Sequence, residues 1–244
     1  MLFVKPKLPN QRKFLYKISK IEGHSFFQDF LNNNSVVVDL GANDGTFGRT
    51  IFYEYGCTVI AVEADPVLAP VPYSKTDYGF LLGFAVSGRG GQAFLKRDKN
   101  KCSTTYPKAL NDSETVKVDQ ITMQDIFGQF NLNKVDLIKF DIESSEIDVL
   151  KTMSKQELDL FKQITIEFHD FIFKDLANSV EEVKARLKSI EFREIKFSID
   201  NTDVVYIHED IKLYKLALLN TLIVFKYGRG IKRMLRRLLL ERKS

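Results

Sequence analysis

Cysteine is scarce: Cys57 and Cys102 are the only two in 244 residues. Two cysteines cannot build a disulfide framework, and no Cys/His cluster has zinc-site spacing. Linkers rich in proline, glycine or serine, low-complexity stretches and internal repeats are also missing, which leaves one large α/β domain as the simplest organisation. Residues 1–9 carry lysine and proline early and lack the apolar stretch of a signal peptide. The longest apolar run near the C-terminus, 216–225, is broken by Asn220 and Thr221. It falls short of the ~20 residues that span a bilayer. A soluble protein of a reducing cytoplasm is the expectation.

Core material is ample, with 44% hydrophobic residues and 20 Phe. Charge is uneven. Residues 226–244 hold eight Lys/Arg against Glu241 alone, a net of +7, whereas the rest carries 28 basic against 31 acidic residues, a net of −3. The basic character belongs to the tail.

The most informative stretch runs from Val36 to Gly48. Val36, Val37, Val38 and Leu40 predict a strand buried on both faces, and the glycines at 41, 45 and 48 lead into a helix from about Thr46. Strand, glycine turn and helix is the layout that brings backbone N–H groups and a helix N-terminus against a ligand. Asn43 stands where a dinucleotide fingerprint needs its second glycine, which argues against a dinucleotide oxidoreductase. A second apolar strand, residues 58–62, ends in Glu63, 18 residues after Gly45. An acid there can accept two hydrogen bonds from a ribose diol.

The second stretch is residues 134–151. Residues 135–140 predict a strand, Lys139 lies one pleat behind its tip, and Asp141, Glu143 and Glu146 follow within one turn. Ligands of open α/β sheets bind outside such carboxyl ends. Residues 164–170 predict a further strand on which Glu167 and His169 share a face. Ser144 begins one helix, and Ser179 with Glu182 forms a capping box for another. Residues 80–86, with Ala85 and Val86 at the end, predict a strand, and 92–96 a hairpin strand. Residues 97–113 read as a polar lid or plain surface loop. Residues 191–199 and 220–226 predict the last strands, with 204–207 a possible extra one. One or two helices are predicted over 11–31, where His24 and Tyr16 read as packing or surface residues.

These residues resemble the FkbM-type family of S-adenosylmethionine-dependent methyltransferases. The likeness rests on Asp39–Gly45, which reads Asp-Leu-Gly-Ala-Asn-Asp-Gly, and on residues 135–151, with Glu63 and the Glu167/His169 ending in support. Ser144 departs from the family's usual Gly. The resemblance implies a Rossmann-like class I methyltransferase fold, with a seven-stranded, mostly parallel sheet and helices on both faces. It implies the methyltransferase domain over 35–226 with a helical cap over 1–34 before it, while a basic amphipathic helix over 227–244 is read from the residues and lies outside the resemblance. Cofactor contacts are implied at Asp39, Gly41, Ala42, Asn43, Gly45, Glu63, Ala64, Ala85, Val86 and Asp141.

The implied reaction is methyl transfer from S-adenosylmethionine to a hydroxyl, often of a sugar, in natural-product or surface-glycan pathways. In-line transfer needs an aligned acceptor oxygen and a proton acceptor. Asp141 is the first candidate and His169 the second, with Glu143, Glu167 and Lys139 in support. No motif fixes a metal, though magnesium at Asp141 and a neighbouring acid stays open. The alternative is an inactive cofactor-binding protein tethered by its tail. In that tail Ile231, Met234, Leu235, Leu238 and Leu239 recur at helical spacing, and residues 231–240 suit an anionic membrane surface. Nucleic acid is not an expected partner, because interleaved aromatics are absent.

Overall fold

The computed structural model describes residues 15–97, 103–106, 115–170, 174–198 and 200–225. The chain forms two compact units, Ser19–Ile211 and a smaller one of Met1–Ile18 with Lys212–Ser244. The early strands are β1 (Ile18–Ile21), β2 (His24–Phe27), β3 (Val36–Leu40), β4 (Thr58–Glu63), β5 (Ser74–Lys75), β6 (Gly79–Gly83) and β7 (Ala85–Val86). Then come β8 (Gly91–Arg97), β9 (Ser103–Tyr106), β10 (Thr115–Ile121), β11 (Leu137–Phe140), β12 (Gln163–Ile166), β13 (Phe192–Lys196) and β14 (Val204–His208). The helices are α1 (Thr46–Tyr55), α2 (Met123–Gln129), α3 (Ser145–Thr152), α4 (Lys155–Leu158), α5 (Ala177–Ser189) and α6 over residues 215–225.

The main sheet has the order β13-β14-β12-β11-β3-β4-β6-β5. From β12 to β6 its strands run parallel, and β14, β13 and β5 join antiparallel at the edges. The reversal between β11–β12 on one side and β4–β6 on the other makes β3 the switch point, where a ligand crevice opens. Both faces are covered. Phe47 and Ile51 of α1 pack on Val37, Val59 and Leu137, while α2, α3 and α5 cover Val38, Ile60, Ile138 and Ile164. This is the Rossmann-like α/β arrangement, with eight strands rather than seven.

The differences have local causes. Residues 18–27 form a hairpin in place of a helix, because Glu22 (φ 46°) and Gly23 (φ 89°) supply the two positive φ values of a tight primed turn. All four residues of β2 are buried. The expected strand over 220–226 is helical through Phe225, and β14 takes the antiparallel place beside β12. The apolar run 80–86 divides at Phe84. Its first part joins the main sheet as β6, and β7 starts a second, four-stranded sheet of order β7-β10-β8-β9. There β8 pairs with β10 and β9 rather than with the strand before it. Helix α5 begins at Ala177, so Ser179 lies inside it and accepts a hydrogen bond from Lys151 instead of capping. The remaining loop residues of 97–113 and the tail helix lie outside the described residues. Among the described residues no helix is long and apolar enough to cross a membrane.

Candidate active site

The glycine turn is shaped by how closely two strand ends approach. Gly41 has φ +74°, and a Cβ there would lie 1.8 Å from the carbonyl oxygen of Asp141. Gly45 (φ +78°) opens α1, and a Cβ there would meet the Tyr78 hydroxyl at 2.5 Å. The turn's N–H groups are committed inside the protein. Those of Gly41 and Ala42 donate to Val62 O at 2.9 and 3.0 Å, and that of Gly45 to Ala42 O at 2.8 Å. The N–H of Asn43 donates to Glu63 Oε2 at 2.7 Å, while Glu63 Oε1 accepts from the Asp65 N–H at 2.8 Å. The turn therefore offers a ligand shape more than free donors. Burial outweighs these hydrogen bonds and raises the Glu63 carboxyl above its ordinary value.

Lys139 ties the turn to the acidic strand tip. It is the register partner of Asp39 across β11 and β3. Its ammonium lies 3.1 Å from Asp39 Oδ1 and 3.3 Å from Asp141 Oδ2, and donates to Gly41 O at 2.7 Å. Burial works against that charge, but the two carboxylates outweigh it and hold the lysine protonated. Asp39 is fully buried, and its Oδ2 accepts the Gly48 N–H at 3.2 Å.

Asp141 is held from a second side. His24, fully buried on β2, places Nε2 3.3 Å from Asp141 Oδ2 and Nδ1 3.5 Å from Thr165 Oγ1. Burial opposes ionisation of Asp141, but the hydrogen bond from His24 and the charge of Lys139 prevail and keep its carboxyl well below the usual range. Glu167 completes this corner. Donor atoms of His24, Asp141 and Glu167 all lie within 4.8 Å of one another, the residues that would hold a divalent ion. The Glu167 carboxylate accepts no hydrogen bond among the described residues, and burial with the charge of Asp141 raises its pKa.

His169 takes a different place from the one expected. Strand β12 stops at Ile166, so strand alternation no longer sets its direction. Its ring lies between Glu146 Oε1, 3.2 Å from Nδ1, and Glu143 Oε2, 3.4 Å from Nε2. Burial disfavours the imidazolium, but the Glu146 hydrogen bond and the surrounding carboxylates push the pKa up to about 9. The two glutamates thus favour the imidazolium form of His169 and occupy both of its ring nitrogens. Glu143 (φ 52°) and Ser144 (φ 80°) both sit in the left-handed region before α3. Ser144 does not cap the helix through its side chain, and its buried Oγ has no partner among the described residues.

A cavity of about 380 Å³ opens over the carboxyl ends of β3, β4 and β11. Gly41, Asn43 and Glu63 line one part, Ala64, Leu68, Ala85, Val86 and Leu95 an apolar wall, and Asp141 and Glu143 the far end. Asp39, Ala42, Gly45, Lys139, Glu167 and His169 do not line it. Asp39 and Lys139 support it from behind, and Glu167 and His169 flank the Asp141 end. Sequence reading missed His24, whose place depends on a hairpin read as helix. It also missed Leu95, which reaches the cavity from the second sheet and carries no motif signal.

The family model for the FkbM methyltransferase domain matches residues 39–194. The chain is 25% identical over 168 residues to Methyltransferase 1 of Beauveria bassiana (strain ARSEF 2860), covering 57% of this chain and 66% of that protein. It is 23% identical over 203 residues to methyltransferase sdnD of Sordaria araneosa, covering 62% of this chain and 77% of that one. The chain thus spans just under two thirds of the first relative. Human methyltransferase-like protein 13 in complex with SAH aligns with a TM-score of 0.42 at 14% identity, over 85% of this chain and 87% of that one. With the family model covering more than half of its length, the chain belongs to the FkbM-type family of S-adenosylmethionine-dependent methyltransferases.

Proposed function

We propose that this methyltransferase acts on oxygen, with a sugar hydroxyl of a glycan, nucleotide-sugar or glycosylated natural product as acceptor. The observation that carries the reading is Glu167, a desolvated carboxylate without a hydrogen-bond donor among the described residues, grouped with Asp141 and His24. A sugar hydroxyl is a weak acid, and its transfer chemistry needs such a proton acceptor.

The cavity fits the methyl donor. Its size lies within the range of small-molecule pockets, its apolar wall suits a purine, and Glu63 retains lone pairs for a ribose diol. When bound, S-adenosylmethionine supplies a methyl whose carbon–sulfur bond breaks as the carbon–oxygen bond forms, the sulfur keeping the electron pair. Asp141, fixed by His24 and Lys139 and held ionised, suits orienting the acceptor hydroxyl. The raised Glu167 suits taking its proton. Asp141 thus keeps the positioning half of the role expected from sequence, and Glu167, expected in support, takes the proton-accepting half. Lys139 already brings positive charge to the Asp141 oxygen that a magnesium ion would share, so the reading routes no step through a metal.

The test is transfer of a labelled methyl group from S-adenosylmethionine to a panel of nucleotide-sugars and lipid-linked glycans, beside a panel of amines. Oxygen-linked label on a sugar is expected. Glu167→Gln should slow transfer by roughly 100- to 10,000-fold with cofactor binding preserved. Label found only on amines would overturn the reading.

A further inference from the structure

Glu146 takes no part in the methyl-transfer roles of Asp141 and Glu167. It lies in the first turn of α3, where any acid suits the helix dipole, but that effect does not call for burial. Glu146 is fully buried, and its Oε2 has no hydrogen-bond partner among the described residues. A carboxylate is costly to bury in this way unless it fixes something else. Its other oxygen lies 3.2 Å from His169 Nδ1, and His169 Nε2 lies 3.4 Å from Glu143 Oε2. Ionised carboxylate oxygens only accept, so each ring nitrogen faces an acceptor and the orientation of the ring is set from both sides. Glu143 lines the cavity and Glu146 does not, so the three side chains lead from the interior to the cavity wall. All three belong to the larger unit, Ser19–Ile211.

The cavity they reach is acidic. Asp44, Glu63, Asp65, Asp141 and Glu143 line it, and among the described residues no Lys, Arg or His does. S-adenosylmethionine carries an ammonium on its amino-acid end. With the ribose at Glu63, that end falls at the far end of the cavity, which Asp141 and Glu143 line. Asp141 is already committed to Lys139 and His24. We infer that Glu146 is a positioning residue, which through His169 holds the Glu143 carboxylate where it receives the ammonium of the cofactor. A charge-assisted hydrogen bond depends on distance and angle, and so gains from a partner that is fixed beforehand. The left-handed backbone at Glu143 and Ser144 fits such a fixed contact, since conformations of this kind persist where the surroundings determine them. This role depends on the ribose lying at Glu63 and not on which acceptor is methylated.

The test is calorimetry of the full chain with S-adenosylhomocysteine and with 5′-methylthioadenosine, which shares the nucleoside and lacks the amino-acid end. Glu146→Leu removes the acceptor from His169, whereas Glu146→Gln keeps an amide oxygen there. Folding of each variant is checked by circular dichroism. Expected in both Glu143→Gln and Glu146→Leu is a loss of about tenfold or more in affinity for S-adenosylhomocysteine, with 5′-methylthioadenosine held within about twofold. Glu146→Gln should restore binding to near the parent value, and Glu146→Leu should cost nothing further once Glu143→Gln is present. Equal losses for the two ligands, additive losses in the double variant, or unchanged affinity for S-adenosylhomocysteine in Glu143→Gln or Glu146→Leu overturns the inference. Glu63→Gln reads the ribose end separately and should weaken both ligands alike. If it weakens neither, the orientation of the cofactor fails, and the role of Glu146 with it.

Discussion

His24 Nε2 lies 3.3 Å from Asp141 Oδ2 across 117 residues of sequence, and His24 precedes the span that defines the family. The hairpin that delivers it is firmly anchored. The Ser25 N–H and Oγ donate to Asp203 at 2.9 and 2.8 Å, and Phe27 exchanges hydrogen bonds with Gln163. An element outside the family core thus fixes one of its site carboxylates.

His24→Ala should leave cofactor affinity within about threefold and lower methyl transfer by roughly ten- to a hundredfold, since Asp141 keeps Lys139 but loses its second anchor. Calorimetry with S-adenosylhomocysteine and a rate measurement with the acceptor separate the two. A large loss of cofactor affinity would instead assign His24 to cofactor binding.

Gly41→Ala should destabilise the fold by about 2–4 kcal/mol and abolish cofactor binding, because the new methyl group meets the Asp141 carbonyl. Gly23→Ala is the control. Gly23 also has positive φ, but a Cβ there meets nothing within 4 Å, so only the conformational penalty of about 1 kcal/mol remains. Urea unfolding of both variants checks the difference.

Ser144→Gly should stabilise the protein by about 1 kcal/mol. It removes a side chain from a φ of 80° and a buried hydroxyl without a partner among the described residues. Thermal unfolding should show a higher midpoint, with cofactor affinity retained.

Stability should depend on pH through His169. Its pKa is raised from 6.5 to about 9 in the folded state, so its stabilising contribution is full below about 6.5 and is lost as pH rises through about 9. A shift of this size corresponds to roughly 3 kcal/mol at most, shared among the coupled carboxylates. Urea midpoints of the parent protein should fall over that window relative to His169→Asn, whose own profile should lack this step.

The parallel frame was legible because its strands are apolar on both faces and end in glycine or acid. Val36–Leu40 and Thr58–Glu63 form strands close to their predicted ranges, and α1 starts at Thr46. Asp141, Glu143, Glu167 and His169 stand out as candidates in the sequence because they follow such ends. What failed was long-range. Residues 18–27 have phenylalanines near helical spacing, yet two positive φ values and burial against other strands make them a hairpin, and His24 went with it. Residues 220–225 are apolar enough for a strand, but the place beside β12 was filled by β14. Nor could spacing show that His169 would sit between two glutamates, since that depends on where β12 stops.

The passage of the chain from the main sheet to the smaller one takes a single residue, Phe84, between β6 and β7. Leu95, at the cavity wall, is carried entirely by that smaller sheet, while Glu63 opposite belongs to the parallel frame. The crevice is thus bounded by two parts with separate hydrogen-bond ladders. The apolar wall at Leu95 and the acid at Glu63 are therefore set by different ladders, and the second ladder is tied to the end of β6 through β7, whose Ala85 and Val86 pair with Gln120 and Ile121.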